Sequence, residues 1–125
     1  MPELESTHDR LVLVTGAASG IGRATCLEMA ASGWSKVVLV DRDAAGLDSV
    51  AAEVEEAGAS AITLVADLGD LARCERIVAE AVAAGGRIDA VVNNAAIARP
   101  AIPVLDYDVQ KFTQDLDVNL TAGFV

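Results

Sequence analysis

The sequence predicts an α/β fold built on a doubly wound parallel sheet, and three observations predict it. Short β-branched runs alternate with longer helical patterns, each change is punctuated by Gly, Asp or Asn, and the chain is 53% apolar but only 3% aromatic. Such alternation signals successive βαβ units, and an aliphatic composition suits closely packed layers better than an aromatic-rich sandwich. At 125 residues the chain makes one domain at most, able to bury roughly two-thirds of the surface its unfolded form exposes.

Leu11 to Thr15 is apolar without alternation, the pattern of a strand buried on both faces, and is read as the first strand. A helix follows over Ile21 to Ala31, closed by Ser32 and Gly33. Lys36 to Asp41 reads as the second strand. Asp43 is placed to cap a second helix with Leu47, Val50, Val54 and Ala57 along one face and Gly58 at its end. The third strand is Ala61 to Val65. Asp70 caps a third helix whose inner stripe is Leu71, Cys74, Ile77, Val78, Ala81 and Val82, with Gly85 and Gly86 as terminators.

Ala90 to Asn93 reads as the fourth strand. Beyond a loop marked by Pro100 and Pro103, Asp106 or Asp108 caps a last helix with Phe112, Leu116, Leu120 and Gly123 on one face. Right-handed crossovers place helices on both faces, and the strands take the order 3-2-1-4 of a Rossmann-type sheet, incomplete because strand 5 would come next. Residues 1–9 read as a polar tail and 10–125 as the domain.

The formal net charge of −10 leaves no basic stripe to displace counterions from a polyanion, which argues against nucleic acid as a partner. Cys26 and Cys74 fall within apolar helical patterns and are expected to be reduced, buried thiols of a cytoplasmic protein. The polar N-terminal stretch has no apolar segment of signal-peptide type, and no apolar run approaches the ~18 residues needed to span a bilayer. His8, the sole histidine, is given no ligand role, and no metal site is read.

Strand 1 runs into Thr15-Gly16-Ala17-Ala18-Ser19-Gly20-Ile21-Gly22 and then into a helix, the setting in which a glycine motif binds a dinucleotide. Gly16 permits a tight turn, Gly20 lets the backbone approach a pyrophosphate, and Gly22 lets the helix pack closely. The helix start supplies free N–H groups and positive dipole to phosphates. Asp41 ends strand 2, 19 positions after Gly22, where a carboxylate accepts from the adenosine ribose hydroxyls; a capping or surface aspartate is the plain alternative. A carboxylate there repels a 2′-phosphate by up to ~4 kcal/mol at about 4 Å and an effective dielectric near 20, so NAD is preferred over NADP. Arg42 works against this preference, since its guanidinium can pair a 2′-phosphate.

Thr15 to Gly22, Asp67-Leu68 after strand 3, Asn93-Asn94-Ala95 after strand 4 and Val118-Asn119 in the last helix together resemble the ordered N-terminal motifs of the short-chain dehydrogenases/reductases, over nearly the whole chain from Arg10. The resemblance implies hydride transfer between NAD and an alcohol or carbonyl substrate. Thr15, Gly16, Ser19, Gly20, Ile21, Gly22, Asp41 and Arg42 would lie at the cofactor; Asp67 would accept from the adenine amino group beside the Leu68 backbone, and Asn93 and Ala95 would steady the sheet against the cofactor. Read from its residues alone, Asp67 has a helix-capping or turn residue as its plain alternative. The family's Asn-Asn-Ala-Gly ends here in Ala96.

By the same resemblance, Asn119 belongs to a proton relay whose serine, tyrosine and lysine lie beyond the equivalent of Val125. The chain is therefore expected to hold cofactor and to lack the groups that do the chemistry, with a non-catalytic NAD-binding module or a partial chain as the alternatives. A homo-oligomeric parent is implied, its last helix forming part of a dimer contact. Tyr107 and Lys111 do spell Tyr-x-x-x-Lys, but they precede Asn119 and are read as surface residues of a first helical turn.

Overall fold

A computed structural model describes residues 9–125; His8 and all of the expected tail except Asp9 lie outside the described residues. Four parallel strands form one sheet in the order β3-β2-β1-β4, where β1 is Leu11–Thr15, β2 Lys36–Asp41, β3 Ser60–Val65 and β4 Ala90–Val92. Val14, in the centre, lies opposite Leu39 on one side and Val92 on the other.

Every residue of β1 is buried because helices cover both faces of the sheet. On one face Val12, Val14, Val37 and Leu39 pack with Cys26 and Ala30 of α1 (Gly20–Ala31) and with Leu47, Val50 and Val54 of α2 (Ala44–Glu56). On the other, Leu11, Leu13, Val38 and Val40 pack with Ile77 and Ala81 of α3 (Leu71–Gly85). Each fully buried Val or Leu contributes about 1.5–3 kcal/mol of transfer free energy, so these two clusters anchor the sheet. Asp43 and Asp70 cap α2 and α3 as expected, accepting from the N–H of Gly46 at 3.0 Å and of Arg73 at 3.1 Å.

Several expectations need correction. Ala57, the C-cap of α2, is exposed rather than on its inner face. The inner stripe of α3 is Cys74, Ile77, Ala81 and Gly85, while Val78 and Val82 are exposed; Val78 faces a cavity of ≈ 310 Å³ beside Val91 of the edge strand. Gly85 and Gly86 end α3 as expected, Gly85 as its last residue and Gly86 as its C-cap. A Cβ on Gly85 would run into the Leu11 side chain, and Gly86 at φ 91° makes the stop. Asn93 lies outside the β4 ladder.

The last helix, α4 (Val109–Leu116), is capped by Asp108, whose carboxylate accepts from the Gln110 N–H at 2.7 Å; Asp106 instead belongs to a 3-10 turn over Val104–Asp106. A π-turn, Asp117–Thr121, follows α4 and leads into a final helical turn, Ala122–Phe124. The face that carries Phe112, Leu116 and Leu120 is exposed, and Val118, in the π-turn, is the buried residue. No described element covers the apolar stripe. Among the described residues no helix is long and apolar enough to cross a membrane.

Candidate functional site

Parallel strands end on one edge of the sheet, and in open α/β sheets that edge is where ligands bind. A cleft of ≈ 430 Å³ lies there, reached by Gly16 and Ser19 from the first turn, Asp41 and Arg42 from the end of β2, Asp67 and Leu68 from the end of β3, and residues 94–97 after β4, with Val118 behind.

The glycine loop leaves β1 with Gly16 at φ 65° and enters α1 with Gly20 at φ 57°, a backbone region that side chains with a Cβ rarely occupy. A Cβ on Gly20 would meet nothing within 4 Å, so that side of the loop is open. A Cβ on Gly22 would collide with the Gly16 carbonyl and lie 2.7 Å from Asn94 Nδ2, so helix and loop touch there through bare backbone. Ile21, between them, is exposed.

α1 starts differently from α2, α3 and α4. Those carry an aspartate cap whose side chain accepts from the first turn, whereas Ser19 makes no side-chain capping bond. The unfilled N–H groups and the dipole of this 12-residue helix are left to whatever enters the cleft.

Asp41 ties this loop to the next strand. Its Oδ2 accepts from the Ala18 N–H and its Oδ1 from the Asp43 N–H, both at 3.1 Å, and each oxygen keeps a lone pair for a further donor. Arg42 is exposed at the rim and makes no ion pair among the described residues. Asp67 is a turn residue: Oδ1 accepts from the Gly69 N–H at 2.8 Å, and capping α3 falls to Asp70.

After β4 the chain is held to β1 by Thr15, whose hydroxyl accepts from the N–H groups of Asn94 and Ala95, both at 3.0 Å, and donates to the Val92 carbonyl at 3.4 Å. Asn94 Nδ2 donates back to the Thr15 carbonyl at 3.1 Å. Asn94, which sequence reasoning did not single out, is thus the asparagine of the cleft; Asn93 lines the ≈ 310 Å³ cavity instead. Ala96 lines the cleft without backbone strain, since no residue other than glycine has a positive φ among the described residues. Thr15→Ser keeps the hydroxyl and is expected to cost about 1 kcal/mol, the value of one buried methyl, in urea unfolding. A loss more than twice that size would mean that the hydroxyl network is not what holds this junction.

Asn119 reaches the same loop. Its Oδ1 accepts from the Ile97 N–H at 2.7 Å and its Nδ2 donates to the Ile97 carbonyl at 3.0 Å, so both backbone polar groups of Ile97 are satisfied by one side chain.

Tyr107 and Lys111 do not share a helix face, because Tyr107 precedes the cap of α4. The Tyr107 hydroxyl donates to Asp115, and that carboxylate holds the phenol above its ordinary pKa, the opposite of what a base working near neutrality requires. Lys111→Ala is expected to leave NAD affinity within about twofold of wild type in calorimetric titration, as for an exposed residue outside the cleft. Both cysteines are buried and free; burial pushes the Cys26 thiol up to about 11, which suppresses its thiolate.

The family model described as short chain dehydrogenase matches residues 10–125. The chain belongs to that family. Levodione reductase of Leifsonia aquatica is 39% identical over 119 residues, 94% of this chain and 44% of the relative. Among solved structures, a metagenomic short-chain oxidoreductase in complex with NADP superposes with a TM-score of 0.89 at 31% identity, covering 95% of this chain and 53% of the other. An NAD+-bound xylitol dehydrogenase gives 0.86 at 32% identity, covering 96% and 46%. This short-chain dehydrogenase chain therefore spans about half the length of the relatives it matches, and its four strands in the order 3-2-1-4 correspond to their N-terminal part.

Proposed function

We propose that this chain is the NAD-holding part of an oxidoreductase that moves a hydride between NAD and a small alcohol or carbonyl substrate. The observation that carries the reading is the bare start of α1: a glycine loop with an open side and an uncapped helix end, in a chain whose α2, α3 and α4 are capped by aspartate. The donor set fits a dinucleotide. Gly16, Ser19, Gly20, Ile21 and Gly22 present backbone to the pyrophosphate, Asp41 accepts from the adenosine ribose, and Asp67 with Leu68 borders the adenine.

Thr15, Asn94 and Ala95 hold the junction between loop and β4, with Asn93 beside them on the other cavity. Asn119 supports the wall of the cleft at Ile97 and would serve a proton relay. When bound, the nicotinamide supplies hydride chemistry; the residues of this chain bind and orient it.

NAD is preferred because the Asp41 carboxylate stands where a 2′-phosphate would have to go, with Arg42 as the opposing influence. A cytoplasmic, homo-oligomeric enzyme is the setting that accords with the family, and the exposed stripe Val109, Phe112, Leu116 and Leu120 supports self-association through α4. Calorimetric titration with each dinucleotide tests the reading. NAD is expected to bind at least about tenfold more tightly than NADP. Equal or tighter NADP binding removes the preference, and no binding of either removes the reading.

A further inference from the structure

The loop between β4 and α4 carries no regular structure except the turn at Val104–Asp106, yet it is fixed to the last helical unit at two levels. At the first, Asn119 holds Ile97. At the second, Asp115 accepts from Arg99 Nε with Oδ1 at 2.7 Å and from the Tyr107 hydroxyl with Oδ2, while an Arg99 terminal nitrogen donates to Gln114 Oε1 at 2.7 Å. The contacts advance from 97 to 99 along the loop while they go back from 119 to 115 along the helical unit, so the loop runs antiparallel to it.

Because Arg99 and Tyr107 share one carboxylate, residues 100–106 form a closed loop, stiffened by Pro100 and Pro103, whose two ends meet at Asp115. The side chains of Arg99 and Asp115 are only 23% and 19% exposed, so this ion pair is better shielded than an ordinary surface pair. Ile97, two residues before Arg99, lines the cleft next to Ala95 and Ala96.

We propose that Asp115 is a positioning residue for the cleft: through Arg99 and Tyr107 it sets the register in which Asn119 grips Ile97, and so fixes the wall formed by residues 94–97. Its consequence for affinity rests on the NAD-binding reading above; the wall itself does not.

Two readouts keep those apart. Hydrogen exchange of the Ile97 amide, followed in the protein without cofactor, reports the grip directly, and calorimetric NAD titration reports the cleft. Asp115→Asn removes the charge with little change of shape, and is expected to speed Ile97 exchange about tenfold, leave the Val12 and Val38 amides of the central strands unchanged, and weaken NAD binding about fivefold. Asp115→Glu restores part of both effects. An Ile97 rate equal to wild type in Asp115→Asn overturns the proposal, as does a uniform rise that includes Val12 and Val38. If Asp115→Asn does not fold, Tyr107→Phe decides, because it removes one donor and keeps Arg99: faster Ile97 exchange supports the proposal and an unchanged rate overturns it. A wild-type protein that fails to bind NAD removes the functional reading but leaves the exchange result to judge the clasp.

Discussion

Gly22→Ala is expected to destabilise the protein by about 3 kcal/mol and to weaken NAD binding more than tenfold. Replacing a helical glycine by alanine ordinarily gains up to ~1 kcal/mol. Here the new methyl would strike the carbonyl of Gly16 and crowd Asn94 Nδ2 at 2.7 Å. Neither neighbour is free to yield: the Gly16 carbonyl belongs to a turn at φ 65°, and Asn94 is bonded through its side chain to the Thr15 carbonyl and through its N–H to the Thr15 hydroxyl. Overpacking against movable side chains costs roughly 1–3 kcal/mol, and backbone is stiffer.

Gly20→Ala is the informative companion. Its Cβ meets nothing within 4 Å, so its stability cost is confined to the φ of 57°, about 1 kcal/mol, while the methyl stands on the open side of the loop. Urea unfolding with NAD titration should therefore separate the pair: Gly22→Ala loses stability and binding together, Gly20→Ala mainly binding. A wild-type unfolding midpoint for Gly22→Ala would mean that the helix and loop are not in the contact described.

Asp41→Asn is expected to shift the ratio of NAD to NADP affinity towards NADP by about 10–100-fold. A hydrogen bond to a charged acceptor is worth roughly 1.5–3 kcal/mol, which the NAD complex loses, and the carboxylate's repulsion of a 2′-phosphate disappears for NADP. The amide retains one acceptor oxygen for two backbone donors, the N–H groups of Ala18 and Asp43, so about 1 kcal/mol of stability should go as well. With Asp41 neutralised, Arg42 at the rim has no neighbouring carboxylate at that position to oppose its pairing with a 2′-phosphate. Titration of both dinucleotides against the variant checks this, and an unchanged ratio would show that Asp41 serves only to tie the loop.

Much of the frame was legible because it depends on local pattern. β1 and β2 are apolar on both faces since both faces are covered, and Asp43 and Asp70 stand where a helix start needs an acceptor. The glycine loop was legible because its conformational demands fall on single residues, and the family resemblance in the order of its motifs is borne out by the match over residues 10–125. What was not legible depends on contacts far apart in sequence. The role of Asn94 rests on Thr15, 79 positions away, and two adjacent asparagines look alike until the strand's end decides which faces the cleft. The exposure of Val78 and Val82 follows from which stripe of α3 meets the sheet, and small residues at Ala81 and Gly85 allow that approach. The π-turn has no residue signature of its own. It is an accommodation between the helix and the loop that Asn119 grips.

That turn makes the end of the chain unequal in what it tolerates. A π-turn holds one residue more than the helix around it, and each helical residue advances by about 100°. Deleting a single residue between Asp117 and Thr121 would return the turn to regular winding with the helical segments on either side still in line, but deleting one from α4 itself would turn every side chain beyond it by about 100°. Substitution at an exposed position there changes one side chain, whereas a change of length in α4 re-aims the segment. The reading frame of this helix, more than its composition, carries its structural information.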